Sequence, residues 1–345
     1  MKIIIDKHIP FLKGIFEPFA DVEYLSSEDI VKDRITEASC IVVRTRTLCD
    51  EALLSGSGIK MVASATAGYE HIDLDYCSKA GINVFVARGC NATSVSQYIG
   101  SALVACANHS GESLCGKTIG IVGYGFVGKA TERIARLMGM RVLLNDPPLE
   151  EFGNDFDLVS LEKIAEESDF ITFHTPLTNG GKYPTHYLAS TDFFSLCRKK
   201  PFILNASRGG VVDEAAMLMA LDKGEIAGFA IDCWENEPNI NTEVLEKSVI
   251  ATPHIAGYSA DSKANGSKMC VEAICDFFGF QLSEEFQPLE PKKSLVVEVV
   301  EVAKTIIESY DILSDSYRLK MEPCMFEYQR NNYRKDRREV EIILK

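Results

Sequence analysis

Short runs of β-branched residues alternate with amphipathic, helix-like stretches along residues 1–90. Each run stops at polar residues, as the strands of a buried sheet do, and the stretches between the runs have helical spacing. This alternation predicts an α/β domain with a mainly parallel sheet. The strand candidates are KIIID, VEYL, CIVVRT, KMVASAT and INVFVA, and SEDIVKDRITEAS is one of the helix candidates.

From residue 94 the pattern starts again, with a helix followed by a second α/β run. Ser94 and Gln97 have the spacing of a helix-capping box, and apolar residues recur at helical period over residues 94–108. The strand candidates that follow are continuous apolar runs, which are typical of a doubly wound sheet covered on both faces. These six candidates are TIGIVG, RVLLN, DFITFH, FILNAS, AGFAID and VIATPH.

The remaining pattern completes a three-part organisation. The stretch SADSKANGSKMCVEAICDFFGF is predicted to be a long helix that crosses back to the first domain. In the tail, SLVVEVVEVAKTIIESYDILSDSY is predicted to be helical, and FEYQRNNYRKDRREVEIIL is charged and amphipathic. We therefore predict a flavodoxin-like doubly wound domain (1–93 and 256–286), a Rossmann-like doubly wound domain (94–255) and a small α+β C-terminal segment (287–345).

Composition says little about the fold, but it limits the classes of partner that the protein can bind. The 345 residues carry a net charge of −14, which disfavours nucleic acid and anionic membranes as partners. No apolar run has the length of a membrane span, and the amino terminus has the pattern of a strand rather than a signal peptide. Eleven scattered cysteines without a Cys-x-x-Cys pair indicate reduced thiols and a cytosolic protein, and no metal-ligand spacing is present.

A glycine pattern indicates a dinucleotide site. Gly123, Gly125 and Gly128 form G-x-G-x-x-G between a predicted strand and a predicted helix, where they permit a tight turn, close approach of a pyrophosphate and close helix–strand packing. Asp146, at the end of the next strand, can accept hydrogen bonds from both ribose hydroxyls and would repel a 2′-phosphate. The pattern thus predicts NAD rather than NADP; the alternative is that Asp146 only forms a turn before two prolines.

Three candidate catalytic residues follow strands of the second domain. Arg208, Glu237 and His254 come after three successive strand candidates, whose carboxyl ends share one sheet edge. Oxidation of a hydroxyl group requires a base for the hydroxyl proton, and a cation can hold a carboxylate and polarise the forming carbonyl. We assign His254 as the base, Arg208 as the cation and Glu237 as the group that orients the imidazole and favours its charged form. The alternatives are a solvated Arg208, a surface Glu237 and a capping His254.

The order and spacing of several segments resemble one enzyme family. GIVGYGFVGKA, HTPLT, LNASRGGVVDEAAM, AIDCWENEP and TPHIAGYS are similar to segments of the D-isomer-specific 2-hydroxyacid dehydrogenases. The resemblance runs nearly end to end with members of the family that act on a phosphorylated 2-hydroxy acid. It includes MKIIIDKHIPF, ATAGYEHID, RGCNATSVSQY and FEYQRNNYRKDRRE.

The resemblance implies functions for residues in every part of the chain. It implies NAD as the cofactor, a small phosphorylated 2-hydroxy acid as the substrate, and a homodimer formed through residues 287–345. Its catalytic positions fall on Arg208, Glu237 and His254, with the histidine accepting or donating the proton. Substrate contacts fall on Thr45, Thr66 and Tyr258. Cofactor contacts fall on Asp146, Thr175, Asp232 and Gly257, in addition to the cofactor residues of the glycine pattern, which are Gly123, Gly125, Phe126, Val127 and Gly128.

The group that binds the substrate phosphate stays open at this point. Arg44 or Arg46 could hold a phosphate or carboxylate, and structural pairing with a nearby acidic residue is the alternative for each. Arg337 or Arg338, in a basic cluster with Arg334 and Lys335, could also close over the phosphate, although such a cluster is more often a solvated helix face. Other activities also remain open: dehydrogenases of the same family for other D-2-hydroxy acids, a shorter phosphorylated acid included, and NAD-sensing corepressors.

Overall fold

The computed structural model describes residues 1–153, 155–334 and 336–345. The chain forms two compact units, one of residues 1–91 and 259–292 and the other of residues 92–258 and 293–345. Lys335 of the basic cluster lies outside the described residues. Within the described part of the chain, no helix has both the length and the apolar character that crossing a membrane requires.

The first unit contains a five-stranded parallel sheet with the strand order β2-β1-β3-β4-β5. Isoleucine and valine side chains of the central strands are buried, as expected for a parallel sheet covered on both faces. All five predicted strands are confirmed. The elements are β1 (Lys2–Asp6), β2 (Asp21–Leu25), α1 (Lys32–Ile35), β3 (Cys40–Val43), α2 (Glu51–Leu54), β4 (Met61–Ser64), α3 (Leu74–Lys79) and β5 (Asn83–Val86).

The predicted helix SEDIVKDRITEAS is wrong over most of its length. It contains a short 3-10 turn at Ser27–Asp29 and then the single turn of α1. Val31 between them is extended, with φ −118° and ψ 162°. Val31 follows Ile30, and β-branched residues have a low helix propensity, which explains why the helix is interrupted here.

The second unit contains the six-stranded parallel sheet, with the strand order β11-β10-β9-β8-β6-β7. The six predicted strands are confirmed, and so is the doubly wound arrangement. The elements are α4 (Ala92–Ser110), β6 (Thr118–Val122), α5 (Phe126–Leu137), β7 (Arg141–Asn145), α6 (Pro147–Glu151), α7 (Leu161–Glu167), β8 (Phe170–Phe173), α8 (Thr191–Ser195), β9 (Phe202–Asn205), α9 (Glu214–Asp222), β10 (Gly228–Ile231), α10 (Thr242–Lys247) and β11 (Ile250–Ala251).

The predicted capping box at the start of α4 is wrong. The helix begins at Ala92, so Ser94 lies inside it, and the Ser94 hydroxyl donates to Glu339 Oε1 at 2.7 Å. The Gln97 amide donates to Ser309 Oγ and to the Arg338 carbonyl, both at 3.2 Å. Both polar side chains therefore bind the C-terminal segment, which covers this buried helix.

The predicted long crossover helix is confirmed as α11 (Ala260–Phe278). Ser259 caps it, with a reciprocal box between the side chains and backbone of Ser259 and Ser262. The buried face of α11, which includes Cys270, Val271 and Ile274, packs in one core with the isoleucines of β1 and with β3 and β4. This helix therefore belongs to the first unit.

The C-terminal segment is a small α+β structure, as predicted. It contains β12 (Lys293–Val297), α12 (Val302–Ser309), α13 (Ile312–Met321), α14 (Phe326–Asn331) and β13 (Val340–Leu344), with β12 and β13 paired in parallel. The prediction that the segment begins as a helix is wrong, because residues 293–297 form a strand. Part of the segment joins the core of the second unit through buried Val302 and Ile306.

Candidate active site

The three predicted catalytic residues follow adjacent strands of the six-stranded sheet. β9, β10 and β11 are in register at their carboxyl ends, with Asn205 beside Ile231. Ile231 is in turn beside Ala251. Arg208, Glu237 and His254 follow these strand ends at one edge of the sheet, where ligands bind in this architecture.

His254 and Glu237 form a hydrogen-bonded pair. The imidazole Nδ1 lies 2.8 Å from Glu237 Oε2 and 3.0 Å from Oε1. Glu237 Oε1 also accepts from the Trp234 backbone N–H at 2.9 Å. Burial alone would raise the pKa of Glu237, but the hydrogen bond and charge of His254, the Trp234 amide and the charge of Arg330 hold it below its ordinary value. An ionised Glu237 accepts a hydrogen bond from Nδ1–H, which leaves Nε2 as the basic nitrogen.

Asp232 shapes the turn that carries His254. Its carboxylate, only 1% exposed, accepts from the backbone N–H groups of Ile255 and Ala256 and from the Thr252 hydroxyl, at 2.6 to 2.9 Å. The backbone of His254 itself has a positive φ of 56°, a conformation that is uncommon for residues other than glycine. Burial raises the pKa of Asp232. The sequence predicted Asp232 as a cofactor contact and missed this bracing of the catalytic turn.

The loop that carries Arg208 lies directly against the loop that carries Glu237. A Cβ at Gly209 would lie 1.8 Å from the Trp234 carbonyl oxygen, so only glycine permits this approach of the two backbones. Arg208 Nη1 donates to the Ser207 carbonyl at 2.7 Å. Burial raises the pKa of the Cys233 thiol well above its ordinary value, while the charges of Arg208 and Arg330 lower it. The loop that carries Arg208 is therefore close enough to the Glu237 loop for the charge of Arg208 to act on Cys233.

Cys233, Glu237 and His254 also form a cluster of possible metal-ligand atoms, all within 4.8 Å of one another. The sequence has no metal-ligand spacing, because these residues come together only at the sheet edge. Two of them are already hydrogen-bonded to each other, and Cys233 Sγ donates to the Ser207 carbonyl at 3.3 Å. These contacts account for all three side chains within the protein.

The glycine turn has the geometry that a dinucleotide requires. Gly123 has a φ of 91°, and a Cβ at Gly128 would lie 2.2 Å from the Gly123 carbonyl oxygen, so helix α5 packs tightly onto β6. A Cβ at Gly125 would meet no described atom within 4 Å. The amino terminus of α5, at Phe126 and Val127, is therefore open to a pyrophosphate.

Asp146 lies beside this turn and also serves as a helix cap. One carboxylate oxygen accepts from the Tyr124 backbone N–H at 2.8 Å, and the other accepts from the Leu149 N–H at 3.0 Å. The turn-forming alternative therefore describes part of what Asp146 does. Because each carboxylate oxygen can accept more than one hydrogen bond, the same side chain remains able to bind ribose hydroxyls.

Thr175 supplies a second indication of a polar ligand. Its hydroxyl oxygen is buried and lacks a hydrogen-bond partner among the described residues, which is uncommon in a folded protein. Thr175 follows β8, next to the strand that ends at the glycine turn. The neighbouring His174 is half-buried, and the removal of its ring from water lowers its pKa to about 3, which keeps it neutral. The residues at this edge thus fit NAD, with Thr175 available to a hydroxyl or amide of the cofactor.

The predicted substrate residues of the first unit follow its central strands. Thr45 lies in the turn after β3, and Thr66 lies after β4, where its hydroxyl contacts Ser64 Oγ at 2.9 Å. Arg44 forms an ion pair with the fully buried Asp6, at 2.9 Å from Nε, and donates to Ser27 Oγ. This is the structural pairing considered as the alternative for Arg44.

Arg46 occupies a different position from Arg44. Its side chain is exposed in the turn after β3, next to Thr45. The two arginines do not share a strand face, because β3 ends at Val43. Of the two predicted phosphate contacts, Arg46 is therefore the one that lies on the surface at a strand end.

The C-terminal segment supplies contacts that the sequence did not assign. They lie at the sheet edge that carries Arg208, Glu237 and His254, which we call the catalytic edge. Arg330 Nη1 lies 3.4 Å from Glu237 Oε2, and Arg330 is also hydrogen-bonded to Tyr258, a predicted substrate contact. Arg337 is only 3% exposed and donates to the carbonyls of Ile255 and Ser94 and to the Gln97 side chain. Arg337 thus fastens the segment to the catalytic turn, contrary to both the solvated-face and the phosphate interpretations.

The chain is similar to a well-defined group of enzymes. The family described as D-isomer specific 2-hydroxyacid dehydrogenase, NAD binding domain, matches residues 86–256. The erythronate-4-phosphate dehydrogenase of Bacteroides thetaiotaomicron is 45% identical, over 99% of this chain and 99% of the relative. The erythronate-4-phosphate dehydrogenase of Porphyromonas gingivalis is 40% identical, over 96% of this chain and 92% of the relative.

Solved structures have the same fold. The NAD⁺-bound 3-phosphoglycerate dehydrogenase of Entamoeba histolytica is 26% identical and covers 83% of this chain and 99% of its own, with a TM-score of 0.68. The D-lactate dehydrogenase of Aquifex aeolicus, solved with NAD and lactic acid, is 24% identical and covers 81% of this chain and 96% of its own, with a TM-score of 0.64.

The fold and the site together define an NAD-dependent dehydrogenase of the D-2-hydroxyacid class. Within that class, the chain belongs to the erythronate-4-phosphate dehydrogenase family.

Proposed function

We propose that this protein oxidises 4-phospho-D-erythronate to 2-oxo-3-hydroxy-4-phosphobutanoate with NAD⁺, a step in pyridoxal 5′-phosphate biosynthesis. The observation that carries the proposal is the His254–Glu237 pair beside the Arg208 loop, in a chain 45% identical to erythronate-4-phosphate dehydrogenases over its whole length. The rival with the same chemistry is oxidation of 3-phosphoglycerate, and the rival from another class is an NAD-sensing corepressor.

The residues of the site divide the reaction into three tasks. When bound, NAD⁺ accepts the hydride from the carbon that carries the hydroxyl. His254 Nε2 takes the hydroxyl proton, and Glu237 holds the ring through Nδ1 and stabilises the imidazolium that forms. Arg208 binds the substrate carboxylate and polarises the forming carbonyl oxygen. Thr45, Thr66 and Tyr258 contact the rest of the acid.

A parallel assay separates the candidate activities. We expect the purified protein to form NADH with 4-phospho-D-erythronate at a kcat/KM at least about a hundredfold above that with 3-phospho-D-glycerate, because a fixed phosphate contact discriminates acids of different length. Higher kcat/KM with 3-phosphoglycerate would favour the rival dehydrogenase. NAD binding without NADH formation from either acid would favour the binding protein.

Replacing Glu237 with glutamine should move the pH dependence in a defined direction. The ionised Glu237 favours the protonated imidazole, so the glutamine variant loses that stabilisation. Oxidation requires the neutral base; the acid limb of kcat/KM should therefore move to lower pH by about one unit, and kcat should fall by about a hundredfold. Steady-state rates across the pH range test this, and an unmoved limb would exclude Glu237 from the pair.

We also propose a homodimer that uses the C-terminal segment. Val296 and Ile343 are opposite each other on paired strands β12 and β13, and their side chains are 57% and 43% exposed. An apolar face of this kind is typical of an interface. The double variant V296D/I343D should sediment as a monomer while the wild type sediments as a dimer. A monomeric wild type would contradict the proposal.

A cytosolic location is the setting that we propose for this chemistry. All eleven cysteines are free, and most are buried. Fractionation of cells should place the protein with the cytosolic markers. Recovery with the membrane or exported fraction would contradict this proposal.

A further inference from the structure

Arg330 connects the C-terminal segment to two residues of the catalytic edge. Its guanidinium Nη1 lies 3.4 Å from Glu237 Oε2, the same oxygen that lies 2.8 Å from His254 Nδ1. Arg330 is also hydrogen-bonded to Tyr258, which follows the catalytic turn. One cation therefore contacts both the partner of the base and a predicted substrate residue.

The surroundings of Arg330 strengthen these contacts. Its side chain is 23% exposed and that of Glu237 is 18% exposed, so water screens their interaction only in part. Helix α14, which carries Arg330, is anchored by Phe326 in the same core as Trp234. Arg330 Nε is buried and lacks a hydrogen-bond partner among the described residues. A buried donor without a hydrogen-bond partner is uncommon in a folded protein.

We propose that Arg330 is a positioning residue for the reaction: it fixes Glu237 and Tyr258 relative to each other and adds a positive charge that opposes protonation of His254. This inference deepens the proposed function and rests on it for its kinetic part. It also makes the C-terminal segment a part of the active site within a single chain. Since Arg330 touches the partner of the base rather than the reacting atoms, it acts through Glu237 and Tyr258.

Arg330 is a positive charge within ion-pair distance of the Glu237 carboxylate. The other charged or titratable groups that interact with Glu237, His254 or their immediate neighbours act differently: the nearby carboxyl groups are negative or neutral, and Arg208 is assigned to the substrate. Removal of Arg330 should therefore favour the protonated imidazole. These other groups are Asp232, Glu214, Cys233, Arg208 and Tyr258.

The experiment compares R330Q, R330K and Q329A with the wild type. We expect R330Q to lower kcat/KM by about ten- to a hundredfold, with a raised KM through Tyr258, and to move the acid limb to higher pH by roughly half a unit. R330K keeps the charge, so its acid limb should lie at the same pH as that of the wild type. Gln329 lies on the same helix and, among the described residues, donates to the carbonyls of Arg318 and Glu322, so Q329A reports on loosening of the helix.

A measurement without substrate keeps the inference separate from the proposed function. NMR titration of ring-labelled histidine, with the His254 signal assigned from H254N, should show the same displacement to higher pH in R330Q and not in Q329A. A titration that does not move in R330Q, or an equal displacement in Q329A, would overturn the inference. A wild type that fails to oxidise 4-phosphoerythronate would instead reject the proposed function.

Discussion

Replacing His254 with alanine should lower kcat for NADH formation by about four orders of magnitude, while NAD⁺ binding stays within about twofold of the wild type. The hydroxyl group is too weak an acid to lose its proton unaided, and His254 is the basic group that Glu237 holds at this edge. Cofactor binding should persist because the glycine turn and Asp146 lie on other strands of the sheet.

The backbone at position 254 requires a matched control. His254 has a φ of 56°, which alanine tolerates poorly and asparagine tolerates better. H254N should therefore retain the melting temperature of the wild type while it remains as inactive as H254A. Steady-state NADH formation, calorimetric titration with NAD⁺ and thermal unfolding measure the three quantities. Activity within tenfold of the wild type in H254N would remove His254 from the role of base.

Replacing Arg208 with lysine should lower kcat/KM by about two to three orders of magnitude, although the charge is retained. A lysine cannot form the paired hydrogen bonds that a guanidinium makes with a carboxylate. Its shorter, point-like charge also cannot polarise the forming carbonyl from the same position. R208Q, which lacks the charge, should be slower still.

The loss should be specific to the carboxyl end of β9. Arg198 is exposed and precedes the amino end of the same strand, so R198K is a matched control that should keep wild-type kinetics. Because the Arg208 loop lies against the Trp234 carbonyl, thermal unfolding of R208K must also be compared with the wild type. Kinetics of R208K equal to those of R198K would contradict the assignment of Arg208.

Much of the fold followed from the sequence because parallel strands buried on both faces are continuous apolar runs. The eleven strands of the two large sheets were predicted, and the position of each strand end then grouped Arg208, Glu237 and His254. Because β9, β10 and β11 end in register, residues that are distant in the sequence lie at the same edge of the sheet. The glycine pattern likewise predicted the position of the NAD site, because it follows the carboxyl end of β6 in the same sheet.

The remaining features depend on tertiary contacts that leave no periodic signal. Ser94 and Gln97 have the spacing of a cap, but they bind the C-terminal segment because that segment covers α4. Arg337 belongs to a basic run, yet it is buried against backbone carbonyls of the second unit. Arg330 lies far along the chain from Glu237, and only the docking of α14 brings them together.

A single-turnover experiment isolates the chemical step in which His254 is assigned as the base. Enzyme in excess, loaded with NAD⁺, is mixed with 4-phospho-D-erythronate, and the absorbance of NADH is followed, so that slow product release cannot mask the chemistry. This mechanism predicts an exponential rise in NADH absorbance with the wild type, and a rate constant about four orders of magnitude lower with H254N. Equal rate constants for the two proteins, or no NADH with the wild type, would contradict it.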